Sequence, residues 1–275
     1  MALTRRRRAA TMDDIIVGAS LLAGTANVIM QLGRPGVGYG VVESTVESGQ
    51  VFRHPIKRTR TTLTYLAVAA LGAEEERRHY RRAVNGAHAQ VRSGESSPVS
   101  YNAFDPDLQL WVAACLYKGV EDTCAAFLGE LDEHSLDEIY RESARLGTTL
   151  QVPAQLWPAD RAAFAKYWDD ALDAVHIDDT VRAYLHDLVE LRFLPRTVAA
   201  PLAPFHRFVT TGFLPPRFRE EMRLPWTSRQ QRRFDRLTGV VAAVVNRLPR
   251  PLRQFPYNLC LADLRWRIRT GRNLV

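Results

Sequence analysis

The sequence has 275 residues, 46% of them hydrophobic and 24% charged, with a formal net charge of +7. It is long enough for one large core or two small ones, and its composition is that of an ordinary globular protein. The three cysteines, Cys115, Cys124 and Cys260, are odd in number and not closely paired. No Cys-x-x-Cys occurs, which argues against zinc ribbons and thioredoxin-like redox chemistry, and reduced thiols in a cytoplasmic protein are the default reading.

Residues 5–8 are all arginine, in a flexible basic leader expected over 1–11, and an apolar stretch follows at 15–32. An export signal or a membrane span is one reading of that order. Asp13 and Asp14 stand between the two and suit a helix start, while Gly18, Ser20, Gly24, Thr25 and Asn27 dilute the stretch. A buried helix over 12–32 is therefore expected, with peripheral membrane contact left open. Residues 33–40, with a proline and several glycines, predict a tight turn. Helices are expected over 54–71, capped by Gly72, and over 74–93, ending at Gly94. A loop rich in Ser, Pro and Asp spans 93–107, and a helix follows over 107–129. Ser135 with Glu138 three residues on reads as a capping box that opens a short helix. Helices over 160–175 and 178–193 come next, then a proline-rich, irregular connection over 199–216, and last helices over 227–248 and 257–270. No strand alternation, repeat or linker is found, so the expectation is a single all-α domain over 1–275.

Two helices carry candidate chemistry. Val84, His88 and Val91 fall at i, i+4 and i+7 and share one face, while Arg77, Arg78, Arg81 and Arg82 can keep the other side wet. A lone imidazole on an apolar face must find a partner, which a satisfied core histidine and a metal ligand both do. In the helix over 54–71, Arg58, Thr62, Tyr65 and Ala69 lie on one face, with Leu63, Leu66 and Ala70 on another. On spacing alone Arg58 and Thr62 read as surface residues near a helix start. Other chemistries lack their motifs. A carboxylate-bridged di-iron bundle wants Glu-x-x-His twice, which the sequence does not provide. Gly33, Gly36, Gly38 and Gly40 follow no strand and lack the Lys-Ser/Thr of a P-loop. There is no Gly-x-Ser-x-Gly elbow, and Cys260 sits in an apolar helical setting unlike that of a thiolate haem ligand.

Four motifs then follow one another: Gln31-x-x-x-Pro35-x-Val37, Arg58-x-x-x-Thr62, His88-x-x-Val91-Arg92, and Tyr101-x-Ala103-x-Asp105-Pro106 with Trp111-Val112. In this order and spacing the chain resembles the family of haem-dependent oxygenases that contains the fungal enzyme MpaB and the latex-clearing rubber oxygenases. The resemblance is good from Gly24 to Ala125 and weaker beyond, resting there on Thr211-Gly-Phe-Leu-Pro-Pro216 and the arginine-rich end. It implies an all-α fold with a globin-like haem-binding core, and haem b as cofactor with dioxygen as co-substrate. It also implies oxidation of a hydrophobic substrate, isoprenoid in the named members. Absence of Cys-x-x-Cys-His means the haem is held without a covalent link. By the same resemblance His88 is the proximal iron ligand, and Arg58 and Thr62 are the catalytic pair of the distal helix. Iron held by one neutral imidazole keeps its other side free for dioxygen. The chain departs from the family twice. Relatives carry a lysine just before the distal threonine, where this chain has Thr61, with Lys57 one helical turn away. Many also carry a histidine two residues after the tryptophan, where this chain has Ala113. Latex-clearing relatives are exported, so the resemblance does not decide localisation. The alternatives are a non-catalytic haem- or lipid-binding helical protein, in which His88 still ligates, and a basic helical regulator.

The charge is lopsided. Residues 217–275 hold 14 Arg, no Lys and 4 acidic residues, a net of +10, which leaves −3 for residues 1–216 of a +7 chain. Such a region can bind nucleic acid or an anionic membrane surface. The blander readings are a solvated helical face and partners for haem propionates. No recognised nucleic-acid motif is visible, so no specific nucleic-acid partner is expected.

Overall fold

The computed structural model describes residues 11–275, the side chain of Ser48 excepted, so the arginines at 5–8 lie outside the described residues. The helices in chain order are α1 Met12–Ile15, α2 Gly24–Leu32, α3 Pro35–Val42, α4 Pro55–Leu71, α5 Glu74–His88, α6 Pro106–Thr123, α7 Glu133–Ser143 and α8 Arg145–Thr148. They continue as α9 Arg161–Leu172, α10 Asp179–Val189, α11 Arg196–Phe213, α12 Pro216–Glu221, α13 Ser228–Val245, α14 Arg250–Arg253 and α15 Tyr257–Thr270. Among the described residues there is no strand, only an isolated bridge between Arg92 and Asn102. The all-α class expected from the sequence is thus what the chain adopts, and no described helix is long and apolar enough to cross a membrane.

Several boundaries follow from local chemistry. Asp105, Asp160 and Asp178 cap α6, α9 and α10, each carboxylate accepting from backbone N–H groups of the first turn. Pro35, Pro55 and Pro106 open α3, α4 and α6, where a missing N–H costs nothing. The short helix expected at Ser135 starts instead at Glu133, because Asp132 is its cap and accepts from the Ser135 N–H at 2.7 Å.

Four expectations are corrected. Residues 12–32 are not one helix: α1 gives way to a 3-10 turn over Gly18–Ala23 before α2. Gly18 passes so close to the Phe255 carbonyl that a Cβ there would meet its oxygen at 2.0 Å, so the path is set by tertiary contact. Residues 33–40 hold no open turn but the helix α3. Its glycines serve close approach, since a Cβ on Gly36 would meet Leu108 at 2.9 Å and one on Gly38 the Leu32 carbonyl at 2.8 Å. The helix expected over 74–93 stops at His88, because the Tyr101 carbonyl takes the Ser93 N–H and the Val91 carbonyl takes the Ala103 N–H, both at 2.9 Å. Most of 199–216 is helical, with Pro201 and Pro204 inside α11. An internal proline costs about 3 kcal/mol. Here both prolines are exposed, while Ala199, Ala203, Val209, Thr210 and Phe213 are buried on the other face. His206 ties that helix to its neighbours through the Val189 carbonyl at 2.8 Å and the Thr25 hydroxyl at 3.0 Å.

The main apolar cluster runs from Met12 to Val245 and centres on fully buried Trp111. Its ring stacks on Trp168 at 5.2 Å and its indole N–H donates to the Gln31 carbonyl at 3.0 Å, which locks α6 to α2. A second cluster joins α4 and α5 to α15 through Val68, Tyr80, Tyr257, Leu261 and Leu264.

One half-buried carboxylate works against this packing. Burial pushes the Asp122 carboxyl up to about 6, with Glu121 adding repulsion and Lys118 opposing it. Lys118 is itself engaged with Glu121 at 2.5 Å. The folded protein therefore holds the Asp122 proton more tightly than the unfolded chain does. Its favourable contribution is present below the unfolded value near 4 and is lost as pH rises through 6. We expect Asp122→Asn to stabilise the protein at pH 7 by on the order of 2 kcal/mol, with the gain shrinking towards pH 4. Denaturant melts at the two pH values measure this, and an equal gain at both would contradict it.

Candidate functional site

A partly open cavity of about 260 Å³ lies between α3, α4, α5 and α6. The four sequence motifs meet on its wall: Gln31 and Val37, Arg58 and Thr62, His88 and Val91, and Tyr101, Ala103 and Val112. Each is placed by a local device. Gln31 is fixed through its carbonyl by Trp111, with its own amide donating to Asn27 at 2.7 Å. The capped start of α6 aims Leu108, Gln109 and Val112 inward, and Gln109 in turn holds the Ala103 carbonyl at 2.7 Å. Val84, His88 and Val91 all line the cavity, as their shared face predicts, although α5 ends at His88.

His88 is the only histidine on that wall. Its Nδ1 is buried without a hydrogen-bond partner, and its nearest ring neighbour is Phe104, edge-on at 6.5 Å between centroids. Burial first, and the Arg58 charge second, hold the imidazole below the usual histidine range, so it is neutral at physiological pH with a lone pair available. Among the described residues Arg58 is the only arginine on the wall. Burial also lowers its affinity for its proton, although an arginine stays charged, and the tyrosines Tyr184 and Tyr80 act in the opposite sense. What accessibility it retains is consistent with facing the cavity. Among the described residues no carboxylate pairs with it, whereas Arg60 beside it reaches Asp263 at 3.8 Å. Thr61 and Thr62 both donate to the Arg58 carbonyl at 3.0 Å, so Thr62 offers the cavity acceptor lone pairs rather than a proton.

The other expected positions sort clearly. Lys57 points away, paired with Glu47 at 3.4 Å. Ala113 is fully buried and Ala69 belongs to the core, so neither faces the cavity. None of the arginines of 217–275 lines it.

The structure adds a residue that the motifs did not point to. Tyr80 lines the wall from α5 and donates to the Thr61 carbonyl at 2.6 Å, tying α5 to the helix that carries Arg58. Tyr65 donates to the Leu146 carbonyl, and Tyr101 to Glu43 at 2.8 Å. Burial and the Glu43 contact push the Tyr101 hydroxyl up to about 12, and burial also raises Tyr65 and Tyr80. All three are therefore neutral clamps. The spacing Tyr80, Val84, His88 was the signal that could have found Tyr80.

No acidic side chain lines the cavity, and among the described residues no group of three or more His, Cys, Asp and Glu could hold a metal ion. The donor set is one neutral imidazole with an unpaired nitrogen, one unpaired guanidinium and mostly apolar walls. Those residues would fit an anionic metal cofactor that brings most of its own ligands: His88 would supply a nitrogen to the metal and Arg58 a counter-charge.

Residues 16–243 match the family described as the catalytic domain of the ER-bound oxygenase mpaB/B' and rubber oxygenase, and the chain belongs to that family of oxygenase catalytic domains. Two proteins named as uncharacterised, one of Mycobacterium tuberculosis and one of Mycobacterium bovis, are each 52% identical over 255 residues, 93% of this chain and 100% of theirs. No solved structure matches the chain.

An unpaired buried cation destabilises a fold unless it has a task. We expect Arg58→Met to raise the stability of the cofactor-free protein by about 1–3 kcal/mol. A calorimetric melt would check this, and a fall in stability would mean that Arg58 has a structural partner.

Proposed function

We propose that this chain is a haem b-dependent oxygenase that uses dioxygen to oxidise a hydrophobic substrate of the isoprenoid kind. The observation that carries the reading is the unpaired, neutral His88 imidazole on one cavity wall with an unpaired Arg58 guanidinium. The globin-like arrangement of the core implied by the family resemblance is part of the same proposal. Haem b, when bound, supplies the iron at which dioxygen is activated.

The chain's own residues then have distinct tasks. His88 gives its lone pair to hold the cofactor, and burial, with the Arg58 charge, lowers its pKa and favours the neutral ring that ligation needs. Arg58 presents hydrogen-bond donors to negative charge that develops in the cavity, a preorganised electrostatic role. Thr62 accepts, orienting a donor group brought by substrate or water. Val37, Val84, Val91, Leu108 and Val112 give the substrate an apolar surface and exclude water.

Expression with haem supply followed by an absorption spectrum is the direct test. A Soret band that acid–butanone removes supports the reading; protein that takes up no haem when it is supplied refutes it. His88→Ala should lose the band, while His54→Ala and His186→Ala should keep it, since neither of those residues lines the cavity. An unchanged Soret maximum in His88→Ala would place the ligand elsewhere.

Arg58→Ala should keep haem and lose about 10²–10³ in oxygen-uptake rate with an isoprenoid panel, the usual cost of one preorganised donor. Intact turnover in this variant would remove Arg58 from the mechanism. Haem binding with no oxygen uptake on any substrate would leave a non-catalytic binding protein. Because Lys57 faces outward, Lys57→Ala should leave the ferric spectrum unchanged, and added imidazole should bind readily.

A further inference from the structure

The outer surface of the C-terminal helices carries a pattern that the cavity does not use. Val240, Val244, Leu248, Leu252, Phe255 and Leu259 recur every three or four residues along α13, α14 and the first turn of α15, and all are exposed, from 36% to 64%. A monomer that keeps a run of large apolar side chains in water has a use for it. Their neighbours are cations. On α13, Arg229, Arg232, Arg233 and Arg236 project from the same side of the helix as Val240 and Val244, within an arc of about 120° at 100° per residue, and Arg247 lies just beyond the helix end. Each of the five is exposed and has no ion pair among the described residues. The one acidic residue of α13, Asp235, lies outside that arc and is held by Gln231 at 2.8 Å.

We propose that this face docks the protein on the surface of an anionic lipid bilayer. Charge complementarity selects that partner. The region 217–275 has a net charge of +10, its basic residues are all arginine, and arginine binds phosphate in a forked geometry. Apolar side chains interleaved with unpaired arginines match a boundary where headgroup phosphates overlie acyl chains. A protein interface of this size would set carboxylates against the arginines, and a second copy of the same face would set arginine against arginine. Duplex DNA would use the cations but leave six apolar side chains without a role. With no described helix able to span a bilayer, the docking is peripheral. The inference is independent of the haem reading, since none of these side chains lines the cavity.

The test is sedimentation of the full chain with vesicles, one set of pure phosphatidylcholine and one with about one third phosphatidylglycerol. The protein should sediment with the anionic vesicles and not the neutral ones, and binding should weaken as salt rises from about 0.1 M to about 0.5 M. Replacing Arg229, Arg232, Arg233 and Arg236 with Gln should lower the partition coefficient by about 10²–10³-fold, at roughly fivefold per arginine. Leu252→Glu with Leu259→Glu should weaken binding even at low salt. All six positions are exposed, so circular dichroism and the thermal midpoint should not change. No binding to anionic vesicles, or binding that survives both variants, overturns the proposal. So does self-association abolished by the leucine changes, or DNA binding abolished by the arginine changes, when vesicles stay unbound.

Discussion

A cavity that holds a neutral imidazole and a guanidinium, neither with a protein partner, costs free energy, and the surrounding fold is arranged to prevent its collapse. If α4 and α5 could slide inward, Arg58 and His88 would find carbonyls or carboxylates and the cavity would close. Hydroxyl clamps fix their positions: Tyr80 ties α5 to α4 through the Thr61 carbonyl, Tyr65 anchors α4 to the Leu146 carbonyl, and Tyr101 is held by Glu43. Two of the clamps join elements far apart in the chain, and each hydroxyl stays neutral because burial raises its pKa. Behind them Trp111, stacked on Trp168 and donating to Gln31, makes the opposite wall rigid. Strain of this kind marks a site kept for binding rather than for stability.

What the sequence showed and what it hid divide along one physical line. Side-chain periodicity is local: it put Val84, His88 and Val91 on one helix face and Arg58 and Thr62 on another, and both faces line the cavity, although spacing alone read Arg58 and Thr62 as surface residues. The helix starts expected at 160 and 178 agree with α9 and α10, whose caps Asp160 and Asp178 act within their own first turns. Glycine and proline misled because their effect depends on what lies opposite. Gly36 and Gly38 looked like a turn but make room for Leu108 and the Leu32 carbonyl. Pro201 and Pro204 looked like breakers, but their lost hydrogen bonds face water and the buried face outweighs them. The early end of α5 depends on pairing between Val91 and Ala103 and between Ser93 and Tyr101, which no window along the chain contains. The cavity role of Tyr80 was hidden likewise, since it depends on how α4 and α5 pack.

The distal helix shows how one substitution redistributes chemistry. The family resemblance implies a lysine where this chain has Thr61, and Thr61 here turns its hydroxyl onto the Arg58 carbonyl. Lys57, four residues earlier, cannot substitute. It sits one helical turn away and is half-exposed against Glu47, so its ammonium is paired and solvated. Drawing it inward would break that pair, dehydrate a compact cation and set it beside Arg58 in a region already poor in counter-charge. Among the described residues Arg58 is thus left as the one cation on the cavity wall. Its guanidinium has no lone pair with which to ligate a metal and donates in a fixed fork. The wall that a lysine could close by coordination is therefore held open here by a group that can only hydrogen-bond.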